Sequence, residues 1–107
     1  MSDLSLAQFA AKAGEAARLL KALSHEARLM VLCQLVDGEH SAGALQEMSG
    51  LSQSALSQHL ARLREEDLVE TRREAQTIYY RLADPNAARL LETLVAIYCP
   101  PRKKVRK

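Results

Sequence analysis

Tryptophan is absent from this 107-residue chain, and one Phe and three Tyr are its only aromatic side chains. Hydrophobic residues still make up 48% of it. The core therefore falls to Leu, Ala and Val, a palette that suits packed helices. No run of about eighteen apolar residues occurs, which excludes a membrane-spanning helix. The opening MSDLSLAQFAAKAGEAARLL has no basic segment ahead of its apolar stretch, so it is not a secretory signal, and the expected compartment is the cytoplasm. The two Cys residues are then expected as buried thiols, metal ligands or a redox pair rather than a structural disulfide. No Walker loop, Gly-rich fingerprint or Ser-His-Asp order is present, and Asp84, Asn86 and Glu92 form no acid/base constellation, so an enzyme is not expected. The length fits one domain over 1–101, followed by a basic tail, RKKVRK, at 102–107 that is expected to be disordered. A chain this small gains considerably from oligomerisation.

Carboxylates are missing in one place. The chain has 13 Asp and Glu, yet none lies between Glu47 and Glu65. Overall charge does not explain the gap. Five of the 15 Lys and Arg sit in the tail, so residues 1–101 carry ten basic against thirteen acidic groups, a net of −3. Any nucleic-acid surface must then be a local patch rather than a global field.

The apolar pattern supplies the scaffold around that gap. Leu6, Phe9, Ala13, Ala16, Leu20 and Leu23 recur three and four apart, the stripe of a long first helix. Such an Ala-rich terminal helix is expected to lie on a second subunit. Ser24 is the expected N-cap of a second helix, with Glu26 in its first turn, running through Leu29, Leu32, Leu35 and Val36 to Gly38. Ser41 is expected to cap a short third helix ending near Gly50, and Ser52 a fourth running to about Asp67. The stretch LVETRREAQTIYYRL predicts a β-hairpin, with Val69, Thr71 and Arg73 on one side of a turn at Ala75-Gln76 and Ile78, Tyr80 and Leu82 on the other. Asp84-Pro85 opens a last helix that Pro100-Pro101 stops. The expected fold is mainly α with a small β-hairpin: helix, helix, helix-turn-helix, hairpin, helix. A helix-turn-helix followed directly by a two-stranded hairpin is a winged helix.

On the fourth helix Ala55, Leu56, Leu60 and Leu63 form the buried stripe. The other face presents Gln53, Ser54, Ser57, Gln58, Ala61, Arg62 and Arg64, with Ser52 at the cap. Base edges in the major groove offer more acceptors than donors, and phosphates flank them, so a Glu there would be repelled. Ser and Gln both donate and accept, Gln grips adenine with two bonds, and Arg neutralises phosphate. Acids return at Glu65, Glu66 and Asp67, where the helix leaves the groove. The hairpin adds Arg72, Arg73, Gln76 and Thr77 for backbone or minor-groove contact. The competing reading is an ordinary solvated face. Two Ser in one exposed helical turn have some helical cost, which argues for selection by function.

The segments LSHEARLMVLCQL, LSQSALSQHLARLREEDLVETRR and TIYYRL resemble the ArsR/SmtB family of dimeric winged-helix repressors, over about Ala17 to Cys99. The resemblance implies a homodimer built from the first and last helices and double-stranded operator DNA as partner. It also implies a recognition helix at 52–66, a wing at Arg72 to Thr77, and release of DNA on meeting an inducer. Most of that family senses metals, but the motifs for it are absent. The stretch SAGALQEMS has no Cys-x-Cys, and neither Asp84-x-Asn86 nor LVAIYCP holds a His. His25, His40 and His59 fall in three different elements, better read as surface or capping residues, so no metal or other cofactor is expected.

Cys33, in the second helix, and Cys99, at the end of the last, remain. A thiol in each place resembles the persulfide-sensing SqrR/BigR-like branch of the family. That likeness implies an inducer of the organic persulfide class, a polysulfide bridge between the two thiols, and control of sulfide-detoxification genes. A pair held slightly too far apart for a disulfide resists direct oxidation, while a longer sulfur chain spans it. Arg102 and Lys103 are candidates to activate Cys99. The plain reading of Cys33, between Leu32 and Leu35, is a small core residue. A different inducer or none, a thiol-disulfide enzyme, and a protein-binding winged helix stay open as alternatives.

Overall fold

A computed structural model of the chain describes residues 5–99, so the basic tail, Arg102 and Lys103 included, lies outside the described residues. The order is α1 (Leu6–Leu23), α2 (Glu26–Gln34), β1 (His40–Ser41), α3 (Ala42–Ser49), α4 (Gln53–Glu65), β2 (Val69–Glu74), β3 (Thr77–Leu82) and α5 (Pro85–Tyr98). The core is aliphatic: Val31 and Leu32 of α2, Leu45 of α3, Leu56, Leu60 and Leu63 of α4, Leu68 and Val69, and Ala87 and Leu91 of α5 are all buried. Tyr80 and Leu82 pack against its margin. No described helix is long and apolar enough to cross a membrane.

Local chemistry sets most boundaries. Ser41 Oγ accepts the Ala44 N–H at 3.1 Å to open α3, and Gly50, at φ 72°, closes it in the left-handed conformation. Asp84 Oδ1 accepts the Asn86 N–H at 2.9 Å, and Pro85 takes the first turn of α5, where its missing donor is harmless. The hairpin pairs as expected, from Val69↔Leu82 to Glu74↔Thr77, leaving Ala75-Gln76 as its two-residue turn. Ala75 supplies φ 56° without being glycine.

Four features depart from the sequence reading, the first being that α2 ends at Gln34 rather than at Gly38. Ser24 does not cap α2. Its backbone (φ −84°, ψ 1°) stays close to helical, and its Oγ donates to the Lys21 carbonyl at 2.7 Å, so it ends α1. Extended His25 takes the N-cap position instead, without a side-chain bond. The fourth helix stops at Glu65, two residues before the expected end, because Asp67 turns left-handed at φ 60°. The Leu68 N–H then reaches the Leu63 carbonyl at 2.9 Å and the Asp67 N–H reaches that of Arg64 at 3.0 Å. This is a Schellman stop with Asp where Gly is usual. The sheet also has a third strand. β1 pairs antiparallel to β3 through His40↔Tyr80 and Ser41↔Tyr79, giving the order β1-β3-β2 and tying the start of the helix-turn-helix to the wing.

The stripe of α1, which the sequence reading assigned to contact with a second subunit, is mostly exposed in the single chain. Of its expected stripe only Leu23 is buried, while Leu6 is 73%, Phe9 55% and Leu20 57% exposed. At the far end of α5, Ile97 and Tyr98 are exposed as well. Among the described residues this apolar surface is left uncovered.

Candidate nucleic-acid interface

α4 is anchored at both ends. Ser52 Oγ accepts the Ala55 N–H at 3.1 Å, and its hydroxyl proton is still free to donate. Leu56, Leu60 and Leu63 press one side of α4 into the core. Helical geometry then turns Gln53, Ser54, Ser57, Gln58, Arg62 and Arg64 outward, and all six are exposed, as is Ser52. Among the described residues none of those six side chains takes part in an intramolecular hydrogen bond or ion pair. Their donors and acceptors face solvent on the length of α4 that precedes its first carboxylate, Glu65. Arg62 and Arg64 also lie in the last turn of α4, where positive charge complements the helix dipole.

The wing divides by strand alternation. Val69, Thr71 and Arg73 share the face that begins in the core, and Glu70, Arg72 and Glu74 share the outer one. Arg73, Gln76 and Thr77 are exposed, and Arg73 makes no ion pair among the described residues. Arg72 is different. Its Nε and Nη2 donate to the two carboxylate oxygens of Glu39 at 2.9 Å each, and its Nη1 donates to Glu74 at 2.8 Å. Its guanidinium also stacks 4.5 Å from the centre of the Tyr79 ring. The hydrogen bond from Arg72 holds the Glu39 carboxyl below its usual range, so the pair stays charged near neutrality. The sequence reading offered Arg72 for backbone or minor-groove contact and missed Glu39, which lies 33 residues away with no local signal to announce it.

Two of the three histidines, which the sequence spread over separate elements, come together. The ring centroids of His25, at the start of α2, and His59, on α4, lie 5.1 Å apart at 56°. Partial burial first, then the nearby His25, Arg28 and Arg62, push the His59 pKa down, so its ring is neutral at neutral pH. Arg28 reaches from α2 to Glu66 at 3.6 Å, with only 15% of its side chain exposed, and fastens the end of α4.

Cys33 is half-buried on α2 against the core, and Cys99 is exposed at the C-cap of α5. Both are free thiols, and α2 packs on α5. The Cys33 thiol is pushed up, first by burial and second by the charge of Cys99.

Comparison with known proteins agrees with this geometry. Residues 25–71, from the start of α2 into the wing, match the family described as "Bacterial regulatory protein, arsR family". The chain is 47% identical to the "Biofilm growth-associated repressor" of Agrobacterium fabrum, across 98% of this chain and 90% of that one. It is 46% identical to the "Transcriptional activator HlyU" of Vibrio cholerae, across 92% and 91%. The crystal structure of the transcriptional repressor BigR from Xylella fastidiosa superposes with a TM-score of 0.84 at 45% identity, covering 92% of this chain and all of that one. A winged helix-turn-helix matched to these relatives over nearly its whole length, this chain belongs to the ArsR family of bacterial transcriptional regulators.

Proposed function

We propose that the chain is a homodimeric repressor that inserts α4 into the major groove of operator DNA and lets it go when Cys33 and Cys99 react with organic persulfide. The observation that carries the DNA reading is the exposed face of Gln53, Ser54, Ser57, Gln58, Arg62 and Arg64. It precedes the first carboxylate of α4, Glu65, and its side chains have no intramolecular polar partner among the described residues. Ser52, at the cap, and Arg73, Gln76 and Thr77, on the wing, extend the contact to flanking phosphates or the minor groove. The exposed Leu6, Phe9 and Leu20 of α1, with Ile97 and Tyr98 of α5, give a second copy an apolar surface to cover, and dimerisation sets two reading helices about one helical turn of DNA apart.

The switch rests on the thiol pair. A thiolate attacks the outer sulfur of glutathione persulfide, so that the Cys becomes a persulfide and glutathione leaves as the thiol. When both Cys carry a persulfide, one attacks the other, giving a trisulfide bridge and releasing H2S. The persulfide supplies the oxidising equivalents throughout. Exposed Cys99 is the entry thiol, because burial keeps Cys33 protonated. A bridge from α2 to α5 changes the angle between the dimer helices and the reading pair, and a coupling of about 1–3 kcal/mol gives a fivefold to hundredfold loss of affinity. Sulfide-detoxification genes are the regulated class that fits such an inducer.

The test is a gel-shift assay on duplexes selected from a randomised library, with wild type beside Cys33→Ser and Cys99→Ser, before and after glutathione persulfide. Release of wild type alone supports the switch. If both variants release like wild type, the thiol switch fails and the DNA reading stands. General thiol oxidants and metals serve as further arms, since an ArsR repressor with another inducer, or none, is the second reading.

A further inference from the structure

The outer face of the wing carries charges that pair among themselves with one carboxylate in excess. Glu70, Arg72 and Glu74 lie on it from β2 and Arg81 from β3, and Glu39 reaches in from the loop before β1. Arg81 Nε donates to Glu70 at 2.6 Å, and Arg72 is clamped between Glu39 and Glu74. Three carboxylates thus face two guanidiniums. For a winged helix whose wing meets a polyanion, this is the wrong sign. Three of the five N–H donors of Arg72 are consumed, and stacking on Tyr79 fixes the plane of the guanidinium. The Glu39 bond is the fork-to-fork kind, the hardest for a monodentate phosphate to displace.

We infer that Glu39 is an affinity-setting residue that withholds Arg72 from DNA phosphate. It restrains the wing electrostatically, so that the exposed polar face of α4 carries most of the contact and the wing contributes through Arg73, Gln76 and Thr77. Keeping one cation per protomer out of the phosphate count lowers sequence-independent affinity more than base readout, because phosphate contacts carry no sequence information. Glu39 thereby favours selected sites over random DNA. The inference rests on the DNA reading proposed above.

The experiment compares wild type, Glu39→Gln, Arg72→Ala and the double variant on a random-sequence 30-base-pair duplex and on library-selected duplexes, across a range of salt. Glu39→Gln keeps the shape and one acceptor but loses the charge. Its expected effect is a gain of roughly five- to thirtyfold on random duplex near 0.15 M salt, with a salt slope steeper by up to about 1.8 per dimer. On the Arg72→Ala background the same substitution should yield a gain at least threefold smaller. An equal gain on both backgrounds would mean simple through-space repulsion and would overturn the inference. So would unchanged or weaker binding by Glu39→Gln, which would make the carboxylate a brace for the wing. Glu74→Gln, on the same guanidinium, is the second variant if Glu39→Gln does not fold; loss of cooperative melting in both would also identify braces and overturn it. Wild type that retains no duplex at any salt would sink the DNA reading itself, a result distinct from all of these.

Discussion

Removing Arg62 offers a quantitative check on the reading face. The residue is exposed on the last turn of α4 and has no ion-pair partner among the described residues, so its loss disturbs little of the fold beyond a helix-dipole contribution of about 0.3–1 kcal/mol. If each Arg62 neutralises one phosphate, a dimer loses two, and the slope of log affinity against log salt falls by about 1.8. Referred to 1 M salt, that amounts to about a thirtyfold loss at 0.15 M. The loss should grow about sevenfold further when salt drops to 0.05 M. Fluorescence anisotropy with a labelled duplex at four or five salt concentrations measures it directly. A loss of the same size at every salt would mean that Arg62 reads a base edge rather than a phosphate. No loss at any salt would place this end of α4 outside the groove and refute the docking.

Three further outcomes follow from local geometry. Asp67→Gly relieves a left-handed residue at φ 60°, so the domain should gain about 0.5–1 kcal/mol after the entropy cost of glycine, seen as a Tm a few degrees higher; a lower Tm would contradict the Schellman assignment. Iodoacetamide at neutral pH should modify exposed Cys99 well before half-buried Cys33, and peptide mass spectrometry showing equal rates would remove Cys99 as the entry thiol. The folded state depresses the His59 pKa, so the unfolded chain takes up that proton first as pH falls. Stability tied to His59 is therefore complete above the unfolded value near 6.5 and is lost as pH falls from there toward the folded value. Urea melts at pH 7.5 and 5.5 should show a smaller drop for His59→Asn than for wild type, and an equal drop would show that His59 does not carry the effect.

Much of this protein was legible in its residues because the relevant physics is short-ranged. Helix periodicity, the Ser41, Ser52 and Asp84 caps, the Gly50 stop and the hairpin register all depend on neighbours within a few positions. The same is true of the reading face. Once Leu56, Leu60 and Leu63 are turned inward, the 3.6-residue period leaves the amides, hydroxyls and guanidiniums nowhere to go but outward. The stop at Asp67 escaped because the left-handed position there is not occupied by the residue type that usually marks it. Ser24 misled because a serine hydroxyl serves either end of a helix, and only the backbone torsions decide which.

Tertiary structure decided the pairings between distant segments. The two-residue β1 is too short for any pattern, yet it joins the helix-turn-helix to the wing because β3 passes alongside. His25 and His59 meet because α2 and α4 cross there, and Glu39 meets Arg72 because the sheet brings the loop before β1 to the wing's outer face. Residue types state which charges exist, whereas the energy between charges depends on separation and surroundings. An arginine in the sequence is a candidate phosphate ligand, and the fold determines whether another group in the same molecule already holds it.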